Sequence, residues 1–296
     1  MVHIRLSDLP LVFSLCLALH AGVSSGHPAA STSSNASTTS AAPTSTSSSA
    51  PLTPNGKKSG SAGGDAYPFW EDHLGWWYDW SADPSQPGSP IGVPMLWGDG
   101  HVDETDASRL AAFKNITTTP QYVMGFYEPD CSTAGSSDVS VDTAVELWEE
   151  LIAPWGDKGT LLGSPSMCKQ ADETWLAEFK TKITHDWDFT TIHISKTNMT
   201  GANKDIDHYW DTYGKPIWVT EFACVDDVDG WNPCTDQSEI DGYINDIVDL
   251  LEADSRIYAY AYTAGEGLGD VWPPVENGEL TESGQTYLTD IEKYYP

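Results

Sequence analysis

Residues 216–221 read PIWVTE, an apolar run that contains β-branched and aromatic residues and ends in the acid Glu221. Residues 122–128 read YVMGFYE and end in a second acid, Glu128. Runs of this length and composition are typical of buried strands. In a barrel of parallel strands, catalytic residues lie at the carboxyl ends of the strands. The two runs therefore predict that folding brings two glutamates to the same mouth of a parallel sheet.

Strand-like segments alternate with helix-like segments along most of the chain. The strand-like segments are Gly75–Trp80, Gly92–Trp97, Tyr122–Tyr127, Leu161–Ser164, Phe189–Ser195, Pro216–Glu221 and Ile257–Tyr262. The helix-like segments are Asp103–Lys114, Val141–Ile152, Asp172–Lys182, Ile240–Leu251 and Glu282–Tyr295. This alternation predicts a parallel sheet, and the strands are apolar on both parities, as expected when both faces are buried.

The predicted fold class is α/β, a (β/α)8 TIM barrel in which one strand is irregular or missing. Seven strand-like segments are found where a barrel needs eight. Pro84–Pro90 and Val271–Val275 are the candidates for the eighth, and an open doubly wound sheet is the alternative. Two other strands lie between the strand that ends at Glu128 and the strand that ends at Glu221. In a closed barrel of eight strands, two strands that are three positions apart face one another across the mouth.

The first part of the chain has the composition of targeting and linker sequence. Residues 1–26 resemble a secretory signal, with an apolar run at 9–19 that is too short to span a membrane. Residues 27–64 are rich in Ser, Thr, Ala, Pro and Gly, which predicts a disordered linker, either O-glycosylated or plain. Residues 65–296 are then expected to form the catalytic barrel.

The chain carries 14 Lys and Arg against 44 Asp and Glu, a formal net charge of −30. No basic patch is evident, so nucleic acids and anionic membranes are poor partners. A neutral or cationic partner is weakly favoured. We expect a secreted protein, extracellular or attached to a cell wall, that is a monomer and needs no cofactor.

Five cysteines occur, and Cys16 falls within the predicted signal. The remaining four form an even set, as in secreted proteins with disulfides, and allow three pairings. We predict one disulfide between Cys131 and Cys168, which each follow the end of a neighbouring strand. The other is predicted between Cys224 and Cys234, which close a short loop after the second glutamate strand.

Sequons for N-glycosylation occur at Asn35, Asn115 and Asn198. No CxxC pair suggests zinc, and the histidines show no ligand spacing such as HExxH. No metal site is therefore expected.

Two glutamates that face one another can cleave a glycosidic bond. In a retaining glycosidase one carboxylic acid protonates the leaving oxygen and the other attacks the anomeric carbon, with the carboxyls about 5–5.5 Å apart. Their proximity raises the pKa of one, which keeps a proton donor near the working pH. Pro129 disfavours the helical conformation of the preceding residue, so we predict that Glu128 is extended and rigidly held. The alternative for either acid alone is a strand-end residue that accepts hydrogen bonds from the backbone or from arginine.

Aromatic residues give a second indication of a sugar ligand, because the chain has 13 Trp and 13 Tyr. Aromatic faces pack against the C–H faces of sugars, and Trp offers a large, rigid contact. The residues predicted to bind substrate are Trp76, Trp80, Trp97, Tyr127, His193, Tyr262 and Trp272. Core packing is the alternative for about half of the aromatic residues. His193 is expected to hydrogen-bond Glu221 or a sugar, with a satisfied buried histidine as its alternative.

Several motifs, taken in order, resemble glycoside hydrolase family 128, which comprises fungal and bacterial β-1,3-glucanases, also described as alkali-sensitive-linkage-protein-like catalytic domains. They are GWWYDW (75–80), VPMLWG (93–98), GFYEPD (125–130), LLGSPSMC (161–168), DFTTIHIS (188–195), KPIWVTEFAC (215–224) and YAYAYT (258–263). The resemblance covers about residues 70–290. It implies a (β/α)8 barrel that cleaves β-1,3-glucan with retention, with Glu128 as acid/base and Glu221 as nucleophile.

The chain departs from the family pattern beside both acids. The family usually has Asn before the acid/base, where it typically hydrogen-bonds the sugar 2-hydroxyl, and this chain has Tyr127. After His193 the family commonly has Trp-Tyr, with the Tyr often on the nucleophile, and this chain has Ile194 and Ser195. Loss of both contacts predicts a rate that is lower by orders of magnitude.

Two functions follow from these observations. The first is a secreted retaining hydrolase of β-1,3-glucan, and the second is a β-1,3-glucan-binding or wall-associated barrel with weak or no catalysis. The sequence leaves open the preferred chain length, the tolerance of branches, and the choice between endo and exo action.

Overall fold

A computed structural model of the protein describes residues 50–84, 90–168, 174–228 and 230–296. The predicted signal, the sequon at Asn35 and most of the predicted linker lie outside these ranges. Within them, no helix combines the length and the apolar character that crossing a bilayer requires.

The strands are short, and those of the main sheet are parallel. The strands are β1 Ser59–Ala62, β2 Trp76–Tyr78, β3 Ile91–Gly92, β4 Tyr122–Met124, β5 Leu161–Gly163, β6 Thr190–Ser195, β7 Ile217–Ala223, β8 Val225–Asp226, β9 Asn232–Pro233, β10 Ile257–Tyr262, β11 Val275–Glu276 and β12 Glu279–Leu280. Six of them form one sheet in the order β3-β2-β1-β10-β7-β6, and β4 pairs with β5.

The β4–β5 pair is linked to segments beside both edge strands of the main sheet. A parallel bridge joins Met95, which follows β3, to Met124 in β4. Another joins Gly163 in β5 to Phe189, which precedes β6. The predicted parallel α/β sheet is confirmed, and β5 and β6 separate the two strands that lead to the predicted acids, as expected.

Helices connect most of these strands. They are α1 Tyr67–Trp70, α2 Glu104–Lys114, α3 Val141–Leu147, α4 Ala153–Gly156, α5 Thr174–Lys182, α6 Met199–Tyr213, α7 Gln237–Ala253 and α8 Glu282–Tyr294, with a π-helical segment Trp148–Ile152 between α3 and α4 and a 3-10 turn at Pro54–Gly56. Five of them begin after a side chain that accepts a hydrogen bond from a backbone N–H three residues further on, which stabilises a helix start. These capping residues are Asp103, Ser140, Asn198, Asp236 and Thr281.

The folded region begins before residue 65, where the sequence analysis placed its start. Ser59–Ala62 form β1, whose four residues are buried and which pairs with β2 on one side and β10 on the other. Small residues gave this strand the composition of a linker. They are needed because a Cβ at Gly60 would lie 2.5 Å from Nε1 of Trp76. The linker prediction is therefore wrong for β1, which supplies the strand that the sequence count lacked.

One of the two positions predicted for the missing strand is wrong. Val275 begins β11, which pairs with β12 in a short antiparallel hairpin and not with the main sheet. The other position, Pro84–Pro90, lies largely outside the described ranges.

Lys58, next to β1, ties this segment to the carboxyl end of α7. Its ammonium group donates to the carbonyl oxygens of Leu251, Glu252 and Asp254 at 3.0, 2.8 and 3.0 Å. Carbonyls at the end of a helix lack helical partners, and a cation is favoured there by the helix dipole. The segment before residue 65 is thus an integral part of the domain.

Large aromatic side chains form a packed layer on one face of the sheet. Phe189 and Trp218 stack with their ring centroids 4.1 Å apart, and Trp218 also packs on Trp76 at 4.8 Å and on Tyr122 at 5.2 Å. Neighbouring strands contribute small residues to this layer, so that large and small volumes interlock. The predicted acid of β7 follows Trp218, so the candidate site lies beyond this layer toward the carboxyl ends of the strands.

Candidate active site

Glu221 lies near the carboxyl end of β7, and three hydroxyl groups donate hydrogen bonds to it. Tyr127 and Tyr78 donate to Oε1 at 2.7 and 3.0 Å, and Thr263, directly after β10, donates to Oε2 at 2.9 Å. Burial first, and then the charge of Glu221, raises the pKa of both tyrosines well above its ordinary value. Both phenols therefore keep their protons, and both carboxyl oxygens of Glu221 act as acceptors.

Glu128 follows β4 in a turn whose backbone is left-handed. Its φ is 48°, so the prediction of an extended Glu128 is wrong. Pro129 disfavours the right-handed helical region, but the surrounding chain selects the left-handed one: the Glu128 N–H donates to the Ser166 carbonyl at 2.8 Å, and the Cys131 N–H donates to the Glu128 carbonyl at 3.2 Å. A non-glycine residue in this region costs about 1–3 kcal/mol, and such strain is frequent at functional sites.

Both predicted disulfides are present, and each fastens a loop at this end of the sheet. Cys131–Cys168 joins the loop after Glu128 to the segment after β5, and Cys224–Cys234 closes the β8–β9 loop after β7. Each therefore helps to hold a loop beside a strand that leads to one of the two acids.

Both side-chain oxygens of Glu128 are also occupied. His193 Nδ1 lies 3.1 Å from Oε1, and Ser136 Oγ donates to Oε2 at 2.6 Å. Burial by itself would raise the pKa of Glu128, but the hydrogen bond and charge of His193, with the Ser136 hydroxyl, lower it below 4.5. Burial would lower the pKa of His193, but Glu128 and the charges of Glu221 and Asp130 raise it above 6.5. Both shifts favour the ion pair, in which His193 carries the proton and Glu128 is ionised.

His193 and Tyr127 connect the two acids. In the β6–β7 ladder His193 lies directly opposite Glu221, after a register shift that begins at Ile192. Its ring centroid is 5.2 Å from that of Tyr127, which adjoins Glu128 in the chain and hydrogen-bonds Glu221. Both acids thus border the same two side chains. The sequence analysis expected His193 to hydrogen-bond Glu221 or a sugar. In the structure its hydrogen-bond partner is Glu128.

Two tryptophans from the predicted set enclose Tyr127. Trp97 stacks on it with ring centroids 6.5 Å apart and planes 18° apart, and Trp80 meets it edge-on at 6.2 Å. The Arg109 guanidinium lies over Trp97, 5.1 Å from the ring centroid. Trp80 also has a left-handed backbone, with φ of 58°. Tyr127 is therefore held by packing as well as by its bond to Glu221.

The remaining predicted aromatic contacts are fully buried. Trp76, Tyr262 and Trp272 each have 0% exposure. Trp76 belongs to the packed layer below the site, and the Tyr262 hydroxyl donates to the Trp272 carbonyl at 2.9 Å. The structure contradicts their predicted contact with substrate, because a ligand cannot reach them without displacing the core.

Three functional partners were missed by the sequence analysis: Tyr78, Ser136 and Thr263. Tyr78 and Thr263 lie at the carboxyl ends of β2 and β10, so the rule that identified the two glutamates applies to them as well. Ser136 lies in the loop after Glu128, where nothing in the sequence marks it.

The two described sequons are exposed and lie at helix ends. Asn115 ends α2, and its amide donates to the Ala111 carbonyl at 2.8 Å. Asn198 caps α6, and its Oδ1 accepts from the Gly201 N–H at 3.0 Å.

Comparisons with known proteins agree with this architecture. Residues 61–287 match the family model described as glycosyl hydrolase catalytic core. A solved structure from Cryptococcus neoformans, described as a GH128 (subgroup VII) oligosaccharide-binding protein, is 57% identical, has a TM-score of 0.81, and aligns over 83% of this chain and 97% of that one. A GH128 (subgroup II) endo-β-1,3-glucanase from Sorangium cellulosum is 25% identical, with a TM-score of 0.62 and coverage of 79% and 98%.

Alkali-sensitive linkage protein 1 of Schizosaccharomyces pombe is 27% identical over 225 residues. The match covers 73% of this chain and 40% of the relative, so this chain spans about two fifths of the length of that curated relative.

Proposed function

The chain belongs to glycoside hydrolase family 128, and we propose that it binds β-1,3-glucan oligosaccharides at the glutamate pair without cleaving them. The observation that carries this proposal is the salt bridge between His193 and Glu128, with 3.1 Å between Nδ1 and Oε1. A general acid must hold a proton near the working pH. Here both pKa shifts favour the proton on the histidine, and the second oxygen of Glu128 accepts a hydrogen bond from Ser136.

The state of Glu221 supports the same conclusion. Two phenols donate to one of its oxygens and Thr263 to the other. Hydrogen-bond donors on a carboxylate stabilise its charge and so reduce its tendency to attack. Tyr127, which replaces the usual Asn of the family, supplies the shortest of these bonds and removes the amide expected on the sugar 2-hydroxyl.

The nature of the ligand is argued from relatives and from the chemistry of the site. The relative from Cryptococcus neoformans, 57% identical, is described as an oligosaccharide-binding protein, and the one from Sorangium cellulosum as an endo-β-1,3-glucanase. Carboxylates, phenols and a histidine are suitable partners for sugar hydroxyls, and Trp80 is a partly exposed aromatic beside them.

A second candidate function is retaining hydrolysis of β-1,3-glucan, with Glu128 as acid/base and Glu221 as nucleophile. It is favoured by the persistence of both acids, each partly exposed, at the same end of the sheet. Under this alternative Glu128→Gln and Glu221→Gln would each abolish the release of reducing sugar from laminarin.

Other properties belong to the same proposal. The linked strands are proposed to close into a (β/α)8 barrel, since bridges at Met95 and Gly163 connect β4 and β5 to their neighbours. The two disulfides support a secreted protein that is extracellular or wall-associated, and we propose in addition that it is a monomer. Asn115 and Asn198 are exposed enough to accept glycans.

The test combines calorimetry with product analysis on the same samples of wild type and laminarihexaose. We expect saturable binding and recovery of intact hexaose after prolonged incubation. Glu221→Gln should weaken binding, whereas Glu146→Gln, at an exposed position on α3, should not. Shorter products that accumulate in wild type and vanish in both glutamate variants would overturn the proposal in favour of hydrolysis.

A further inference from the structure

One large aromatic side chain at this end of the molecule remains unassigned. Trp231 lies in the loop between β8 and β9 and is 55% exposed, the most exposed tryptophan among the described residues. Isolated exposed apolar residues are normal, but a tryptophan side chain left half in water is uncommon enough to need a reason.

Trp231 lies beside the two strands that hold Glu221 and its threonine partner. Its loop follows β7, which carries Glu221. Its indole N–H donates to the Gly267 carbonyl at 3.3 Å, and Gly267 lies in the loop that follows Thr263 at the end of β10. The indole therefore bridges the loops after two adjacent strands, β7 and β10, at the end of the sheet where the acids lie.

Several contacts hold the described residues of the loop that presents Trp231. The Cys224–Cys234 disulfide closes it, and β8 pairs with β9 inside it. Lys196, directly after β6, forms an ion pair with Asp227 of the loop. An aromatic side chain held by such contacts loses less conformational entropy when it binds a ligand.

We propose that Trp231 is a distal stacking platform for a β-1,3-glucan chain whose other units occupy the glutamate pair. This inference rests on the proposed function and adds to it a preference for longer chains. We assign the ligand as a sugar ring for two reasons. The loop that carries Trp231 follows β7, the strand of Glu221, and the indole N–H is already bonded to Gly267, which leaves the apolar faces of the ring for contact.

The test compares short and long ligands in Trp231→Ala. We expect the Kd for laminarihexaose to rise about fivefold or more, and the Kd for laminaritriose to stay within about twofold. Trp231→Phe keeps an aromatic face and loses the bond to Gly267, so it should retain most of the affinity for the hexaose. It also provides the second measurement if the alanine variant folds poorly.

Trp210→Ala is the matched control. Trp210 is 36% exposed but lies in the last turns of α6, which returns from the carboxyl end of β6 to the start of β7, so it is at the opposite end of the sheet. Its replacement should change neither Kd.

Three results would overturn the platform: equal hexaose affinity in Trp231→Ala and wild type, an equal loss for triose and hexaose, or a change of oligomeric state in Trp231→Ala, which would assign the residue to a protein interface. If the proposed function itself is wrong, the wild-type protein gives a different result: it binds neither ligand, or it hydrolyses the hexaose.

Discussion

At the scale of single residues, the two acids proposed to bind β-1,3-glucan are each engaged by hydrogen-bond donors of the protein itself. Glu128 and Glu221 are both present, but every one of their oxygens accepts a hydrogen bond from the protein. We propose that His193 and Tyr127 hinder hydrolysis, because His193 pairs with Glu128 and favours its ionised form, and Tyr127 donates to Oε1 of Glu221. Changing either alone leaves the second obstacle in place.

A double variant tests this reasoning. We expect Tyr127→Asn to remain inactive, because Glu128 still lacks a proton. Combined with His193→Gln, it should release reducing sugar from laminarin roughly a hundredfold faster than either single variant, since burial then raises the pKa of Glu128 and general acid catalysis contributes on this order. Tyr127→Phe with His193→Gln is the matched control, because it removes the phenol without supplying an amide. Full activity in Tyr127→Asn alone would show that the salt bridge is no obstacle.

The salt bridge also predicts a pH window for stability. The pKa of His193 is raised, so its contribution is complete below pH about 6.5 and is lost as pH rises through its higher folded value. The pKa of Glu128 is lowered, so its contribution is present above pH about 4.5 and is lost as pH falls through its lower folded value. The difference in free energy of unfolding between wild type and His193→Gln should therefore be largest between these limits. Denaturant titrations at a series of pH values measure it, and a difference that does not vary with pH would refute the charged pair.

At the scale of elements, β1 shows that close packing can require small residues whose composition does not indicate a strand. Its small residues adjoin the indole of Trp76, and Gly60 leaves no room for a Cβ. Composition alone cannot distinguish such a strand from a flexible linker, because the reason for the glycine lies in the neighbouring strand.

Gly60→Ala should therefore destabilise the protein by about 1–3 kcal/mol, as overpacking does in a full core. Gly242→Ala is the control: Gly242 lies in the middle of α7 with open space around its Cβ position, so alanine should stabilise by about 0.5–1 kcal/mol. Thermal and denaturant unfolding measure both. If Gly60→Ala were neutral, β1 would not be the tightly packed strand described here.

Most elements were predictable because their apolar periodicity is local. All seven predicted strands overlap an observed strand, five of them in the main sheet and two in the β4–β5 pair, and β10 matches its predicted bounds. α6 was not predicted, because Gly201 and Asn203 weaken the helical pattern that the Asn198 cap begins. The backbone of Glu128 was predicted wrongly, since the proline rule removes one conformation but the choice among the others depends on Ser166, which is distant in sequence.

The site was predictable to a similar degree. The rule that strand ends carry functional groups identified Glu128 and Glu221, and a resemblance to a family gave them roles. The strand-end rule did not identify the hydrogen-bond partners of the two acids. Ser136 lies in a loop, and the pairing of His193 with Glu128 depends on how the strands align across the sheet. The burial of Trp76, Tyr262 and Trp272 likewise depends on which side of each strand faces the packed layers.

At the scale of the whole molecule, two disulfides hold the loops at the end of the sheet where the acids lie. Cys131–Cys168 spans 37 residues and Cys224–Cys234 spans 10. In the chain-entropy account a longer loop gives more stabilisation, about 4 kcal/mol for the first and about 3 kcal/mol for the second. Paired alanine replacements should follow this order in denaturant unfolding. The reverse order would show that contacts of the β8–β9 loop, and not chain entropy, dominate.

The most direct test of the central claim is the protonation state of Glu128 in the folded protein. Carbon-13 NMR of labelled glutamate carboxyls, with the resonance assigned through Glu128→Gln, should give a pKa below 4.5 for Glu128, and His193 should titrate above 6.5. A Glu128 that titrates above pH about 6, as the proton donor of an active glycosidase does, would contradict the account.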